Sequence, residues 1–172
     1  MACSNLTAGF TLDCNDSQGG IQKIFIGNGP VQTYAAVAGV ITAITVGGSA
    51  MVPSDFFEFE TPRQTSSLTE TTTVSQENGT ITFDQQLTMV FNKMEAEKRN
   101  QLLLMAEATN MVVIAKDNNG KYWSVGLERG AYMTSGTSVS GVAYADRSGY
   151  ELIVGGMEAS PMYEVTGTIV ES

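Results

Sequence analysis

Several groups of residues in this chain have types and spacing that invite a chemical reading. In Phe56-Phe57-Glu58-Phe59-Glu60 the two glutamates stand two apart, so an extended backbone turns both carboxylates to one side. That arrangement would suit general acid–base work or a cation. It equally suits the outward face of an edge strand, where charge keeps other strands off, and this is the reading adopted. Asp13 and Asp16 flank Cys14, but in a polar stretch with no pattern that would hold a reacting geometry. Cys3 and Cys14 lack metal-ligand or CxxC spacing and read as free thiols. Asp117 to Glu128 has the length of an EF-hand calcium loop. Its fifth and sixth positions hold Lys121 and Tyr122, where the loop needs an oxygen ligand and a glycine, so the motif fails. The chain has no histidine, the usual general base and the commonest transition-metal ligand. It also lacks Gly-x-Ser-x-Gly, Gly-x-Gly-x-x-Gly and Gly-Lys-Ser/Thr. No catalytic, cofactor-binding or metal-ligating residue is assigned, and the expectation is a protein that is not an enzyme.

The totals narrow the remaining classes. A chain of 172 residues fits a single domain, here 1–172 with residues 1–20 as a polar N-terminal arm. Eighteen acidic side chains against nine basic ones give a net charge of −9. That disfavours gripping nucleic-acid phosphates or anionic membranes, both of which need clustered Lys and Arg. No run approaches the roughly 18 apolar residues of a membrane span. Met1 to Phe10 lacks the basic and apolar regions of a secretory signal, so synthesis in the cytoplasm is expected.

The segment around which the chain is organised is Ser66 to Phe91, which reads as one long β-hairpin about Asn78-Gly79. Asn-Gly favours a two-residue type I′ turn, which would pair Glu77 with Thr80 and Ser75 with Thr82. One face then carries Leu68, Val74, Ile81, Phe83, Leu87 and Met89, together with Glu70, Thr72, Gln76 and Gln85, and packs on a core. The other carries Thr69, Thr71, Thr73, Ser75, Thr82, Asp84, Gln86 and Thr88, a ladder of hydroxyls and amides nearly free of charge.

Further strands are predicted over about 21–26, 40–46, 56–60, 150–154 and 163–170. A second hairpin runs from Met111 to Glu128, turning at Asp117-Asn118-Asn119-Gly120, with Val112, Ile114, Trp123, Val125 and Leu127 on its core face. Gly130 to Gly149 reads as a surface loop. The predicted helix covers about 93–108, with Asn92 as N-cap and Glu95 completing a capping box. Met94, Leu102, Leu103, Met105 and Ala106 share its apolar side. Leu104 falls on the polar side, either as an ordinary exposed leucine or as a subunit contact. The fold class is therefore mainly β: an antiparallel sandwich or barrel with a long hairpin and one flanking α-helix.

Four stretches together resemble the tail tube (major tail) proteins of bacteriophages. They are Ser67-Leu68-Thr69-Glu70-Thr71-Thr72-Thr73-Val74 with Glu77-Asn78-Gly79-Thr80; Asn100-Gln101-Leu102-Leu103-Leu104; Asp117-Asn118-Asn119-Gly120-Lys121-Tyr122-Trp123; and Ser148-Gly149-Tyr150-Glu151-Leu152. The resemblance covers about residues 65–158 and implies a structural virion protein located in the phage tail. It implies homo-oligomerisation into stacked hexameric rings, contacts with other tail proteins, no cofactor, and a channel that DNA traverses without specific binding. The hydroxyl face, Thr69 to Thr88 as named above, becomes the candidate lumen surface, and Leu104 the candidate subunit contact. Two other readings stand beside it: another virion part (connector, tail terminator or baseplate hub), or a lectin-like β-sandwich binding module.

Overall fold

Short apolar runs rich in Val, Ile and Thr, separated by Gly, Asn and Pro, favour strands over helices. A computed structural model describes residues 6–28, 31–46, 49–50 and 56–166. The elements are β1 (Ile21–Asn28), β2 (Val31–Val37), β3 (Val40–Val46), β4 (Ser49–Ala50), β5 (Phe56–Glu60), β6 (Ser67–Ser75), β7 (Thr80–Asn92), α1 (Ala96–Glu107), β8 (Met111–Asp117), β9 (Tyr122–Val125), β10 (Tyr132–Val139), β11 (Gly149–Glu158) and β12 (Glu164–Val165). They form a large sheet in the order β2-β3-β12-β9-β8-β1-β5, with β4 beside β3, and a small sheet in the order β10-β11-β7-β6. Every pairing is antiparallel except β3 with β12. The expected mainly β architecture, two sheets with one helix, is what the described residues form.

Strand alternation creates two cores. Between the sheets, Ile24 and Ile26 of β1, Val113 and Ala115 of β8 and Val125 of β9 meet Leu87 and Met89 of β7 and Leu152 and Val154 of β11. The alternate residues of the large sheet are buried too: Phe25 and Ile114 pack with Ile41, Ile44, Leu127 and Val165. Phe56 of β5 joins that second cluster beside Phe25 of the neighbouring β1. Burial on both faces explains the unbroken apolar run Met111-Val112-Val113-Ile114-Ala115, each residue at most 1% exposed.

Four local expectations are corrected. The first hairpin closes with Ser75 opposite Thr80, not Glu77 opposite Thr80, through a four-residue turn in which Gly79 alone has positive φ (62°). Type I′ geometry needs a positive φ at Asn78 as well; instead, the Asn78 N–H donates to Ser75 Oγ at 3.3 Å. The register moves by two residues, so every side chain keeps its face.

In the second hairpin Lys116 pairs with Tyr122, and Asp117 N–H donates to Lys121 O across a three-residue turn with Gly120 at φ 80°. An odd loop reverses the parity. Val113, Ala115, Trp123 and Val125 share one face, while Val112 and Ile114 lie on the other, with Tyr122 and Ser124.

The helix begins at Ala96, with Glu95 at the N-cap position and no side-chain cap bond. Asn92 still pairs with Gly149 inside β7, and Lys93 takes a left-handed φ of 64°, which ends the strand and delays the helix. Of the expected apolar side only Met105 is buried, with Leu102 half-buried; Met94, Leu103 and Ala106 are exposed. Finally, Tyr132–Val139 of the expected loop after Gly130 is strand β10, paired with β11 along its length. Its Ser, Thr and Gly residues read as a loop because an edge strand with one face open has little need of apolar side chains. Cys3 and residues 167–170 of the expected last strand lie outside the described residues, whereas Cys14 is an exposed free thiol.

Candidate functional site

The small sheet is a plate with one side on the core and the other open. Down β6 the open side carries Ser67, Thr69, Thr71, Thr73 and Ser75; across the pairing lie Thr88, Gln86, Asp84, Thr82 and Thr80 of β7. Thr69, Thr71, Thr73 and Gln86 are exposed, and Ser75, Thr82, Asp84 and Thr88 are half-buried, so none of the eight predicted residues packs in a core. Thr69 Oγ1 donates to Gln86 O at 3.4 Å, and Gln86 Nε2 to Asp84 Oδ2 at 3.4 Å, which leaves most hydroxyls facing solvent.

The face continues where sequence reasoning did not follow it. Gln86 is opposite Gly155, Thr88 opposite Ile153, and Asp84 opposite Met157. Beyond β11, Ser135 is opposite Ile153 and Thr137 opposite Glu151. Two more hydroxyls thus join the ladder, with Ile153, the 58% exposed Met157 and the buried Val90 as apolar interruptions. The run of Ser, Thr and Gly in β10 shows no alternation, so it could not be told from a loop. Glu151, also on this side, is met by Arg147 at 3.0 Å. The strands contribute no Lys or Arg to the face.

Among the described residues β6 pairs only with β7 and β10 only with β11, so neither border of this plate has a second strand partner. The outer half of the hairpin also extends past the core. Thr72 is exposed on the inner side, and the directly opposed Val74 and Ile81 are 63% and 52% exposed. At the other end of the sheet, Asp146 accepts hydrogen bonds from the Val142 and Ala143 N–H groups at 2.9 and 2.8 Å, which hold its carboxyl below the ordinary range. Leu104 is 59% exposed on the outer side of α1, and Leu103 next to it is also exposed.

A polar seam positions the plate on the large sheet. Glu70 and Gln85, on the inner side, are linked by Gln85 Nε2 donating to Glu70 Oε2 at 3.2 Å. Gln85 Oε1 accepts from Gly126 N–H at 3.2 Å, and Glu70 Oε2 from Met162 N–H at 2.7 Å. Glu158, 2% exposed, accepts from Arg129 N–H at 3.1 Å, while its Oε2 has no partner among the described residues. Burial raises the Glu158 carboxyl above its usual range. These side chains tie the links on either side of β9 and β12 to the small sheet, so they are structural clamps. The pair Glu58 and Glu60 lies on edge strand β5, where Glu58 meets Lys23 at 2.8 Å. Among the described residues no cluster of three metal-ligating side chains occurs, and no helix is long and apolar enough to cross a membrane. Compared with models of known protein families and with curated protein sequences, the chain has no match.

Proposed function

We propose that this chain is a structural virion protein, a tail tube protomer whose small sheets join edge to edge into a hexameric ring around a DNA channel. The observation that carries this reading is the open four-stranded plate, with two unpaired borders and a hydroxyl face without strand-borne basic residues. Strand directions alternate from β6 through β7 and β11 to β10. In a ring of identically oriented copies, β6 of the next protomer therefore runs antiparallel to β10, and the alternation continues without a break. Closure removes both free borders of the small sheet, which is the surest protection for exposed edges.

Six copies give a channel of sufficient size. At about 4.8 Å between strands, 24 strands have a circumference of about 115 Å, hence a diameter of about 37 Å before tilt widens it. Subtracting roughly 5 Å of side chain on each side leaves room for a double helix roughly 20 Å wide. Hydroxyls and acidic groups on that wall hydrogen-bond water and release no counterions from DNA, so the polymer slides instead of sticking. The hairpin tip with Val74 and Ile81 then points along the tube axis toward a stacked ring, and Leu104 lies outside the plate as a contact between neighbours. Negative-stain electron microscopy of concentrated protein tests the reading: rings or stacked tubes are expected. A monomer at all concentrations, particularly one that binds glycans, contradicts it.

A further inference from the structure

Among the described residues, 6–17 have no strand partner and no buried side chain. Leu6, Phe10 and Leu12 are 98%, 104% and 101% exposed. In Leu6-Thr7-Ala8-Gly9-Phe10-Thr11-Leu12 the apolar residues fall on every second position, so an extended backbone sets Leu6, Ala8, Phe10 and Leu12 on one side. A lone exposed leucine needs no explanation; a one-sided apolar strand with nothing against it does.

The same chain carries its complement. Among the described residues strand β5 ends the large sheet and pairs only with β1, so every second residue directs its N–H and C=O outward. Beside that border a groove of about 290 Å³ runs between β5 and α1. Phe59, Phe91, Leu102 and Tyr150 line it, with Glu95 and Glu97 at its rim, and the Phe59 and Phe91 rings stand 5.9 Å apart. Phe57 and Phe59 pair with Ile26 and Ile24, so both lie on the inter-sheet side of β5, and Phe57 is 54% exposed. An apolar side of an added strand would land there.

We propose that residues 6–12 of one copy add as a strand to the free border of β5 in a second copy, laying Leu6, Phe10 and Leu12 over the groove against α1. Main-chain hydrogen bonds supply the affinity, and the alternate side chains set the register. The segment 6–12 has no charged residue and meets the acidic rim without repulsion. A chain's own segment is led away from β5: Gln18 N–H donates to Asn119 Oδ1 at 2.7 Å, and Asn118 Nδ2 donates to Gly19 O at 2.6 Å. Those asparagines sit in the β8–β9 turn, and β8 flanks β1 on the side opposite β5. The ring uses β6 and β10, and this contact uses β5, so either can fail without the other.

The test uses the full chain with Cys3→Ser and Cys14→Ser. Two differently tagged copies, one Phe10→Cys and the other Phe57→Cys, are mixed with a short bis-maleimide. A covalent dimer carrying both tags is expected. A chain bearing both cysteines that links only to itself shows the segment folding back on its own β5, and overturns the proposal, as does the absence of any link. Independently, a labelled peptide of residues 6–13 should bind the Phe10→Asp chain, whose melting temperature should be unchanged. The same peptide with Phe10→Asp should bind at least about tenfold more weakly. Failure of the unmodified peptide to bind indicates that the groove takes another partner, and overturns the assignment.

Discussion

A threonine hydroxyl on an open strand face can donate and accept, but it carries no charge with which to hold a phosphate. That makes Thr71 and Gln86, neighbours of Asp84 in the pairing, sensitive reporters of what the face is for. Thr71→Lys with Gln86→Lys should fold normally, since both positions are exposed. Assembled protein should then retain duplex DNA in a filter-binding assay at 50 mM salt and lose about tenfold or more of that affinity by 200 mM, whereas the unmodified assembly retains none. Glu158 tests the seam. Its folded carboxyl is raised by burial, so the folded state holds the proton more tightly than the unfolded one. The native state consequently gains stability from this group as pH falls through the window between the two values, and loses it as pH rises. Glu158→Gln keeps an acceptor for Arg129 N–H; thermal melts should show it more stable than the parent at pH 7, with the gap closing toward pH 4. The eight face residues were legible in the sequence because alternation survives any even shift of register. The clamp roles of Glu70, Gln85 and Glu158 were not, because their partners lie in links that pass the sheet from distant parts of the chain.

Turns show how local space decides what a residue tolerates. Gly79 and Gly126 both have positive φ, at 62° and 70°. A Cβ at Gly79 meets nothing within 4 Å, whereas one at Gly126 would strike the backbone and side chain of Ala131. Gly79→Ala should cost about 1 kcal/mol, the conformational penalty alone. Gly126→Ala should cost about 3 kcal/mol or more, because the β9–β10 link must also move. Equal costs in denaturant unfolding would contradict this account. The helix offers a second contrast: Met105→Ala should cost about 2 kcal/mol through lost core packing, and Leu104→Ala within about 0.5 kcal/mol in the monomer. If Leu104 lies between subunits, its substitution should instead weaken assembly in sedimentation. Most strands were legible from β-branched runs and the helix in its approximate position, but the Met and Leu pattern overstated its apolar side, of which Met105 alone is buried. The turn lengths were not, since Asn-Gly and Asn-Asn-Gly each accommodate more than one loop, and only the long-range pairing selects among them. Strand β10 was missed for a related reason: an edge strand held by backbone bonds leaves little trace in side-chain polarity.

Among the described residues, the large sheet supports the small sheet, whose two border strands have no second strand partner and whose hairpin tip is exposed. A protein whose longest hairpin outruns its own core has surface to share with other copies. Val74→Asp should leave folding and ring closure intact, since the side chain is exposed at the tip, but should shift electron micrographs from stacked tubes to single rings. The measurement that bears most directly on the central claim is a reconstruction of the assembled particle by electron cryomicroscopy. The account predicts β6 of each protomer beside β10 of the next, with Thr69, Thr71 and Thr73 on the channel wall. An assembly that turns those threonines outward, or leaves β6 and β10 unpaired, contradicts it.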